Sequence, residues 1–117
     1  MSWNLLLYKA EPKANPAEEE VLPLGSPEDV AVALNATFPG LRWPRPDECE
    51  LTGDGGFVVS LSIKDGAVSD LYTHGGYNHL RQFAALCLLH GWRMADAQEG
   101  EDLDLRDPYA TYDNPEA

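Results

Sequence analysis

The residues best suited to chemistry in this sequence are two histidines on either side of a Gly-Gly pair. His74 and His79 lie before and after Gly75 and Gly76, and Asp70 precedes them on a predicted strand. Imidazole nitrogens and carboxylate oxygens are common zinc ligands and general acids or bases. His74, His79 and Asp70 therefore give one hypothesis, a small metal-binding protein or enzyme. The compact ligand spacings of metal motifs are absent from the sequence, so we predict no metal or other cofactor.

The glycine pair and the two cysteines are the other groups with a chemical interpretation. Gly75 and Gly76 precede a predicted helix, where backbone N–H groups bind anions, but neither a phosphate-loop pattern nor a nearby lysine accompanies them. A sharp strand-to-helix turn explains the pair better. Cys87 lies on an apolar helix face and Cys49 has no histidine close in sequence, so neither is predicted to be a nucleophile. We therefore expect a protein that is not an enzyme.

Acidic residues are the strongest signal in the composition. The chain of 117 residues has 20 acidic and 8 basic residues and a formal net charge of −12. Such a charge repels phosphate backbones and anionic lipids, which argues against nucleic acids and membranes as partners. Between Asp96 and Ala117, eight acidic residues stand against Arg106 alone. Solubility is one explanation of this charge, and a surface for a basic protein partner is the other.

Aromatic and acidic residues are the candidates for contact with such a partner. Trp43 and Tyr77 lie in predicted loops or lead-ins, where a large aromatic side chain either fills the core or anchors an interface. Tyr72, on a predicted strand, is a further aromatic candidate, and acids near the C-terminus would steer a basic partner during association. The partner-binding candidates are Trp43, Tyr72, Tyr77, Glu99, Glu101, Asp102 and Asp104.

These residues must be positioned by a core, and a helix from Asn78 to His90 is its predicted centre. Its apolar residues recur with helical spacing, so one broad face must be covered by a sheet. Asn78 is the predicted cap of the first turn, and Gly91 is predicted to end the helix in the left-handed conformation. The apolar residues of the helix are Leu80, Phe83, Ala84, Leu86, Cys87, Leu88 and Leu89. We expect Leu80, Phe83, Ala84 and Cys87 to pack on a strand face with Phe57, Val59, Leu61 and Ile63.

A hairpin is predicted just before this helix. Residues 57–63 alternate between apolar and small polar side chains, which is typical of a half-buried strand. The Asp-Gly pair at 65–66 then forms a turn, and residues 67–73 return as the second strand. Val68 and Leu71 have opposite parity on that strand, which indicates a bulge or a strand covered on both faces.

Local signals define the remaining elements. Trp3 to Tyr8 is predicted to be the first strand, and the Pro-containing segment from Lys9 to Leu24 a long surface loop. Ser26 followed by Pro27 starts a helix that should continue to about Thr37. Residues 41–46 are predicted to be an edge strand or lead-in, and residues 49–52 and 91–96 are predicted to be short strands.

The element order is then β-α-β-β-β-α-β. It predicts an α+β fold in which a four- to five-stranded, mainly antiparallel sheet has two helices packed on one face. We assign residues 1–106 to a single domain and residues 107–117 to a mobile acidic tail, since acids and prolines outnumber apolar residues there. No apolar run approaches the roughly 20 residues of a membrane span, and the start lacks a signal-peptide pattern, so we expect a cytoplasmic protein.

The segment Gly91-Trp92-x-Met94-x-Asp96-x-Gln98-x-Gly100, after a hairpin and an apolar helix, resembles the closing segment of several small bacterial proteins. Immunity proteins of polymorphic toxin systems are among them, and the resemblance extends over residues 57–100. It implies a protein that neutralises a cognate toxin by binding it through acidic surface, without catalytic residues. We therefore expect a non-enzymatic protein-binding module for a basic partner. A metal protein or enzyme and a subunit of a larger bacterial assembly are the alternatives.

Overall fold

The computed structural model describes residues 3–11, 20–53, 55–110 and 112, which form two helices and eight strands. The strands are β1 (Asn4–Ala10), β2 (Val21–Leu22), β3 (Arg42–Arg45), β4 (Glu48–Leu51), β5 (Phe57–Lys64), β6 (Ala67–Gly75), β7 (Arg93–Asp96) and β8 (Glu101–Asp102). The helices are α1 (Pro27–Thr37) and α2 (Leu80–His90).

All strands belong to one antiparallel sheet with the order β3-β4-β5-β6-β1-β7-β8, and β2 pairs with the end of β1. The predicted α+β class, with an antiparallel sheet and two helices, is therefore confirmed. The predicted number of four to five strands is wrong, and so is the order β-α-β-β-β-α-β. The segments missed as separate strands include β2 and β8, which have two residues each, too few to produce a recognisable alternation.

The core lies between the helices and one face of the sheet. Pairing places Leu5 opposite Thr73 and Leu7 opposite Leu71, and these side chains are completely buried. The same cluster holds the inward residues of both helices, so a single apolar layer joins α1, α2 and the sheet. Its helical members include Val30, Ala33, Leu34, Leu80, Phe83, Ala84, Leu86 and Cys87.

Three of the apolar residues predicted for this core are exposed instead. Leu88 and Leu89 are 54% and 79% exposed, and Ile63, near the end of β5, is 45% exposed. An α-helix that packs on a sheet through one stripe cannot bury residues on every side, and the side chain of Leu86 takes the inward position. Leu88 and Leu89 therefore point away from the sheet.

Capping chemistry explains where the helices begin and end. The Ser26 hydroxyl accepts a hydrogen bond from the Asp29 backbone N–H at 3.1 Å, and Gly91 ends α2 with a φ of 72°, as predicted. Asn78 is not the cap of α2. It lies in a 3-10 turn over Tyr77–His79, which delays the α-helix until Leu80.

A bulge in β6 is the feature of the sheet that matters most for the surface described below. Ser62 pairs with Asp70 but Ile63 pairs with Val68, so Ser69 is an extra residue, as the opposite parity of Val68 and Leu71 predicted. The predicted surface loop from Lys9 to Leu24 is partly replaced by strand, because Lys9 and Ala10 pair with β2. Residues 12–19 of that segment lie outside the described residues.

Two tyrosines after β8, Tyr109 and Tyr112, contact Tyr77. Tyr109 Oη donates a hydrogen bond to the Tyr77 carbonyl at 2.5 Å, and the rings of Tyr77 and Tyr112 are 5.4 Å apart. Packing thus continues beyond Asp107, where the tail was predicted to begin, while residues 113–117 lie outside the described part. In the described ranges, neither helix has the length and apolarity that crossing a bilayer requires.

Candidate protein-binding surface

The sheet face opposite the helices carries a continuous surface that no described helix covers. Its side chains alternate with the buried ones along β1, β5 and most of β6. Tyr72 lies between Ser60 of β5 and Leu6 of β1 in the sheet. The same row of paired residues continues across the sheet through Ala95 to Asp102. A second row runs through Ser62, Asp70, Tyr8 and Arg93. We call this surface the open face; it comprises Leu6, Tyr8, Val58, Ser60, Ser62, Asp70, Tyr72, His74, Arg93 and Asp102.

Tyr72 is at the centre of the open face. It is half-buried, and its ring contacts the exposed His74 ring edge-on at 5.0 Å. Leu6 and Val58, which are also half-buried, supply apolar surface on neighbouring strands. A solvent-facing sheet usually carries polar side chains, so a half-buried tyrosine with apolar neighbours is a feature of contact surfaces.

A charged network forms one side of the open face. The Arg93 guanidinium donates to Asp102 Oδ2 from Nε at 2.9 Å, and Tyr8 Oη donates to Asp102 Oδ1 at 2.5 Å. Arg93 also lies over the Tyr8 ring, 5.3 Å from its centroid. Arg93 therefore neutralises the charge of Asp102. This ion pair fixes the positions of the two side chains at the edge of the open face and adds no net negative charge there.

The other predicted acids lie around β8. Glu99 is in the turn between β7 and β8, Glu101 is in β8, and both are exposed. Asp104 is also exposed, and its Oδ1 accepts a hydrogen bond from the Arg106 backbone N–H at 2.9 Å. We call Glu99, Glu101, Asp102 and Asp104 the acidic hairpin. It borders the open face where Arg93 and Asp102 meet.

The seven predicted contact residues do not form one site. Tyr72 and Asp102 share the open face, with the rest of the acidic hairpin at its border. Trp43 lies on the helix side of the edge strand β3, where its Nε1 donates to Asn35 of α1 at 2.9 Å. Tyr77 belongs to an aromatic cluster with Trp3, Tyr109 and Tyr112. Sequence reasoning missed Tyr8 and Arg93, because only the position of β1 between β6 and β7 places Tyr8 opposite Asp70 and next to Arg93.

The residues of the metal hypothesis are not brought together. His74 and Asp70 are on the open face, but the His79 ring packs against Phe57 and Phe38 on the core side, with centroid distances of 5.4 and 5.8 Å. Nδ1 of His79 is 2.6 Å from Gln82 Oε1. Among the residues that the structure describes, no group of three His, Cys, Asp or Glu side chains is arranged to hold a metal ion.

The cysteines are buried and free, and their burial suppresses thiolate formation. Burial raises the pKa of the Cys87 thiol to about 12. For Cys49, burial first and the nearby Glu48 charge second raise the pKa to about 12 as well. Both thiols are protonated at neutral pH and have no solvent access, so they lack the properties of a nucleophile.

The motif that carries the family resemblance has structural roles in this fold. Met94 is completely buried, and Asp96 is 4% exposed. Asp96 Oδ1 accepts hydrogen bonds from the backbone N–H groups of Gln98 and Glu99 at 2.9 and 3.3 Å. Gly100 has a φ of 72°, which favours glycine. These residues shape the β7–β8 turn that carries the acidic hairpin.

Comparison of the chain with protein-family models, curated proteins and solved structures finds no match.

Proposed function

We propose that this chain is a non-enzymatic protein-binding module that contacts a basic protein through the open face and the acidic hairpin. One observation carries the proposal, which is the half-buried Tyr72 at the centre of a sheet face that no described helix covers. A tyrosine at the centre of a mixed apolar and polar patch is a typical interface anchor, because its ring supplies large contact area with few rotatable bonds.

The charge distribution supports a basic partner. The chain has a net charge of −12, and the exposed Glu99, Glu101 and Asp104 lie in or next to β8, the strand that borders the open face. Exposed acids at the rim of an interface accelerate encounter with a positively charged protein, whereas the centre supplies the contact area that slows dissociation. The acidic hairpin provides the charged rim, and the open face provides the central contact area.

In its narrowest form, the proposal is an immunity protein of a bacterial toxin system that acts in the cytoplasm. The resemblance of residues 57–100 and the acidic surface support this assignment. An immunity protein inhibits by covering its toxin, so it needs a complementary surface and no catalytic residues. A basic toxin would fit the acidic hairpin electrostatically.

Capture of the partner from a lysate of the source cell tests the proposal. The immobilised full chain should retain a basic protein at low ionic strength and release much of it at high ionic strength, because salt screens the attraction. Tyr72→Lys should abolish retention, since it places a cation at the centre of the contact.

Leu89→Lys is the matched control, because it introduces the same charge at a residue that is 79% exposed on the helix side. It should retain the partner as well as the unmodified chain does. The proposal would be contradicted if Tyr72→Lys and Leu89→Lys reduced the amount of retained partner equally. It would also be contradicted if the unmodified chain retained no protein at low ionic strength.

A further inference from the structure

The geometry points to a binding position for an arginine side chain on the open face, between the Tyr72 ring and the Asp70 carboxylate. The inference rests on the proposed function and names the residue type with which the partner anchors itself. Tyr72 and Asp70 are alternate residues of β6 and thus project from the same face, roughly 6.7 Å apart along the strand. An arginine laid along the strand reaches both.

Serine hydroxyls hold the Asp70 carboxylate in place, and no described residue supplies it with a cation. Ser62 Oγ donates to Asp70 Oδ1 at 3.0 Å. The single hydroxyl proton of Ser69 is shared between the Ser62 carbonyl at 3.2 Å and Asp70 Oδ2 at 3.4 Å. Ser69 is the extra residue of the bulge, so the bulge itself brings the second hydroxyl to the carboxylate. No lysine, arginine or histidine of the described ranges forms an ion pair with Asp70. Each carboxylate oxygen keeps a lone pair for a further donor.

The Tyr72 ring likewise has no cation from the described residues, although two other tyrosines have one. Arg93 lies 5.3 Å from the centroid of Tyr8, and Arg81 lies 5.5 Å from that of Tyr109. Within the described part of the chain, Tyr72 has the edge of His74 as its ring partner and no guanidinium over its face. Its ring is therefore the position on the open face where a guanidinium from another protein can stack.

Arginine fits this position better than lysine does. A guanidinium is planar, so it stacks on the Tyr72 ring while its outward N–H groups donate to the fixed Asp70 oxygens. A lysine ammonium is a point charge that satisfies the carboxylate but gains less from the ring. Citrulline has the shape of arginine without its charge, and it would keep neither interaction at full strength.

Titration of the full-length, isotope-labelled chain with short synthetic peptides tests the inference by NMR. A glycine-flanked arginine peptide should shift the resonances of Tyr72, Asp70 and Ser62. It should bind about tenfold more tightly than its citrulline counterpart and measurably more tightly than its lysine counterpart. These comparisons use the unmodified protein, so they do not depend on the folding of any variant.

Variants of the protein then separate the contribution of the Asp70 carboxylate from that of the Tyr72 ring. Asp70→Asn should weaken binding of the arginine peptide about tenfold, and Tyr72→Leu about threefold. Tyr72→Phe keeps the ring and should bind normally, which separates stacking from a role of the hydroxyl. Glu28→Gln removes an exposed acid of α1, away from the open face and the acidic hairpin, and is the control for general attraction.

Equal binding of the arginine and citrulline peptides would overturn the inference. Resonance shifts centred on the acidic hairpin, or equal weakening of binding by Glu28→Gln and Asp70→Asn, would also overturn it. If one of these results is found and the lysate experiment still yields a partner whose retention depends on Tyr72, the arginine-binding position is wrong. The proposed binding function is then still supported. If the arginine peptide binds as expected but no protein is captured, the position stands and the proposed function fails.

Discussion

Replacing Phe83 by alanine should lower the free energy of unfolding by about 3–5 kcal/mol, because it removes a completely buried ring from the centre of the core. The Phe83 ring lies 4.8 Å from Phe38 and 5.0 Å from Phe57, measured between centroids. These rings join α2 to the end of α1 and to β5, so the cavity would open where all three elements meet. Denaturant unfolding monitored by circular dichroism measures the loss.

The expected shift of the melting temperature is roughly 12–20 °C for a domain of this size. Leu89→Ala on the same helix is the control, since its side chain is 79% exposed and its removal should change stability by less than about 0.5 kcal/mol. A shift of only a degree or two for Phe83→Ala would show that this ring does not support the core.

Tyr112→Phe should cost about 2–3 kcal/mol, because it deprives the buried Asp96 carboxylate of a charge-assisted hydrogen bond. Tyr112 Oη donates to Asp96 Oδ2, and Trp3 Nε1 donates to Tyr112 Oη at 3.4 Å. The contact ties the described end of the chain to β1 and β7. Tyr8→Phe is the matched control, since it removes a similar bond to the exposed Asp102 and should cost less than about 1 kcal/mol.

Alkaline pH gives an independent test of the same contact. Burial first, and then the hydrogen bond to Asp96, raise the pKa of Tyr112 to about 12. The folded state therefore holds this proton more tightly than the unfolded state, whose tyrosine pKa is about 10. The contribution to stability is complete below pH 10 and is lost as the pH rises to 12. The difference in stability between the unmodified chain and Tyr112→Phe should shrink over that interval, and a constant difference would contradict the assignment.

Local chemistry made parts of this fold predictable. The start of α1 depends on Ser26 and Pro27, and the end of α2 depends on Gly91, so each boundary is determined within a few residues of sequence. The bulge in β6 was predictable for the same reason, because two buried residues three positions apart cannot share one face of a regular strand.

Non-local pairing made other parts unpredictable. β1 pairs with both β6 and β7, far along the chain, and no short-range pattern identifies those partners. Tyr112 packs against Trp3 across 109 positions, although the composition after Asp107 looks polar. Leu88 and Leu89 were misplaced because the helix pattern alone does not say how wide a stripe the sheet covers.

The candidate site was predictable in its residue types more than in its geometry. Tyr72 and the acids stood out by chemistry and composition. Their grouping required the strand order, which places Tyr8 and Arg93 of separate strands beside Asp102. The residues of the metal hypothesis lie apart for the same reason. His74 and His79 are close in sequence, but His74 is on the open face and His79 packs on the core side.

Neutralising exposed acids of the acidic hairpin tests the central claim most directly. The variant combines Glu99→Gln, Glu101→Gln and Asp104→Asn, and it keeps Asp102, whose ion pair with Arg93 orders the border of the open face. A charge-matched control carries Glu20→Gln, Glu28→Gln and Asp65→Asn, three exposed acids elsewhere in the chain. Stopped-flow association with the captured partner is measured for both at two ionic strengths.

The hairpin variant should associate about tenfold more slowly at low ionic strength and depend less on salt, with a nearly unchanged dissociation rate. The control should associate almost as fast as the unmodified chain, because steering depends on where the charge lies. An association rate that is unchanged in the hairpin variant, or lowered equally in the control, would contradict binding through this surface.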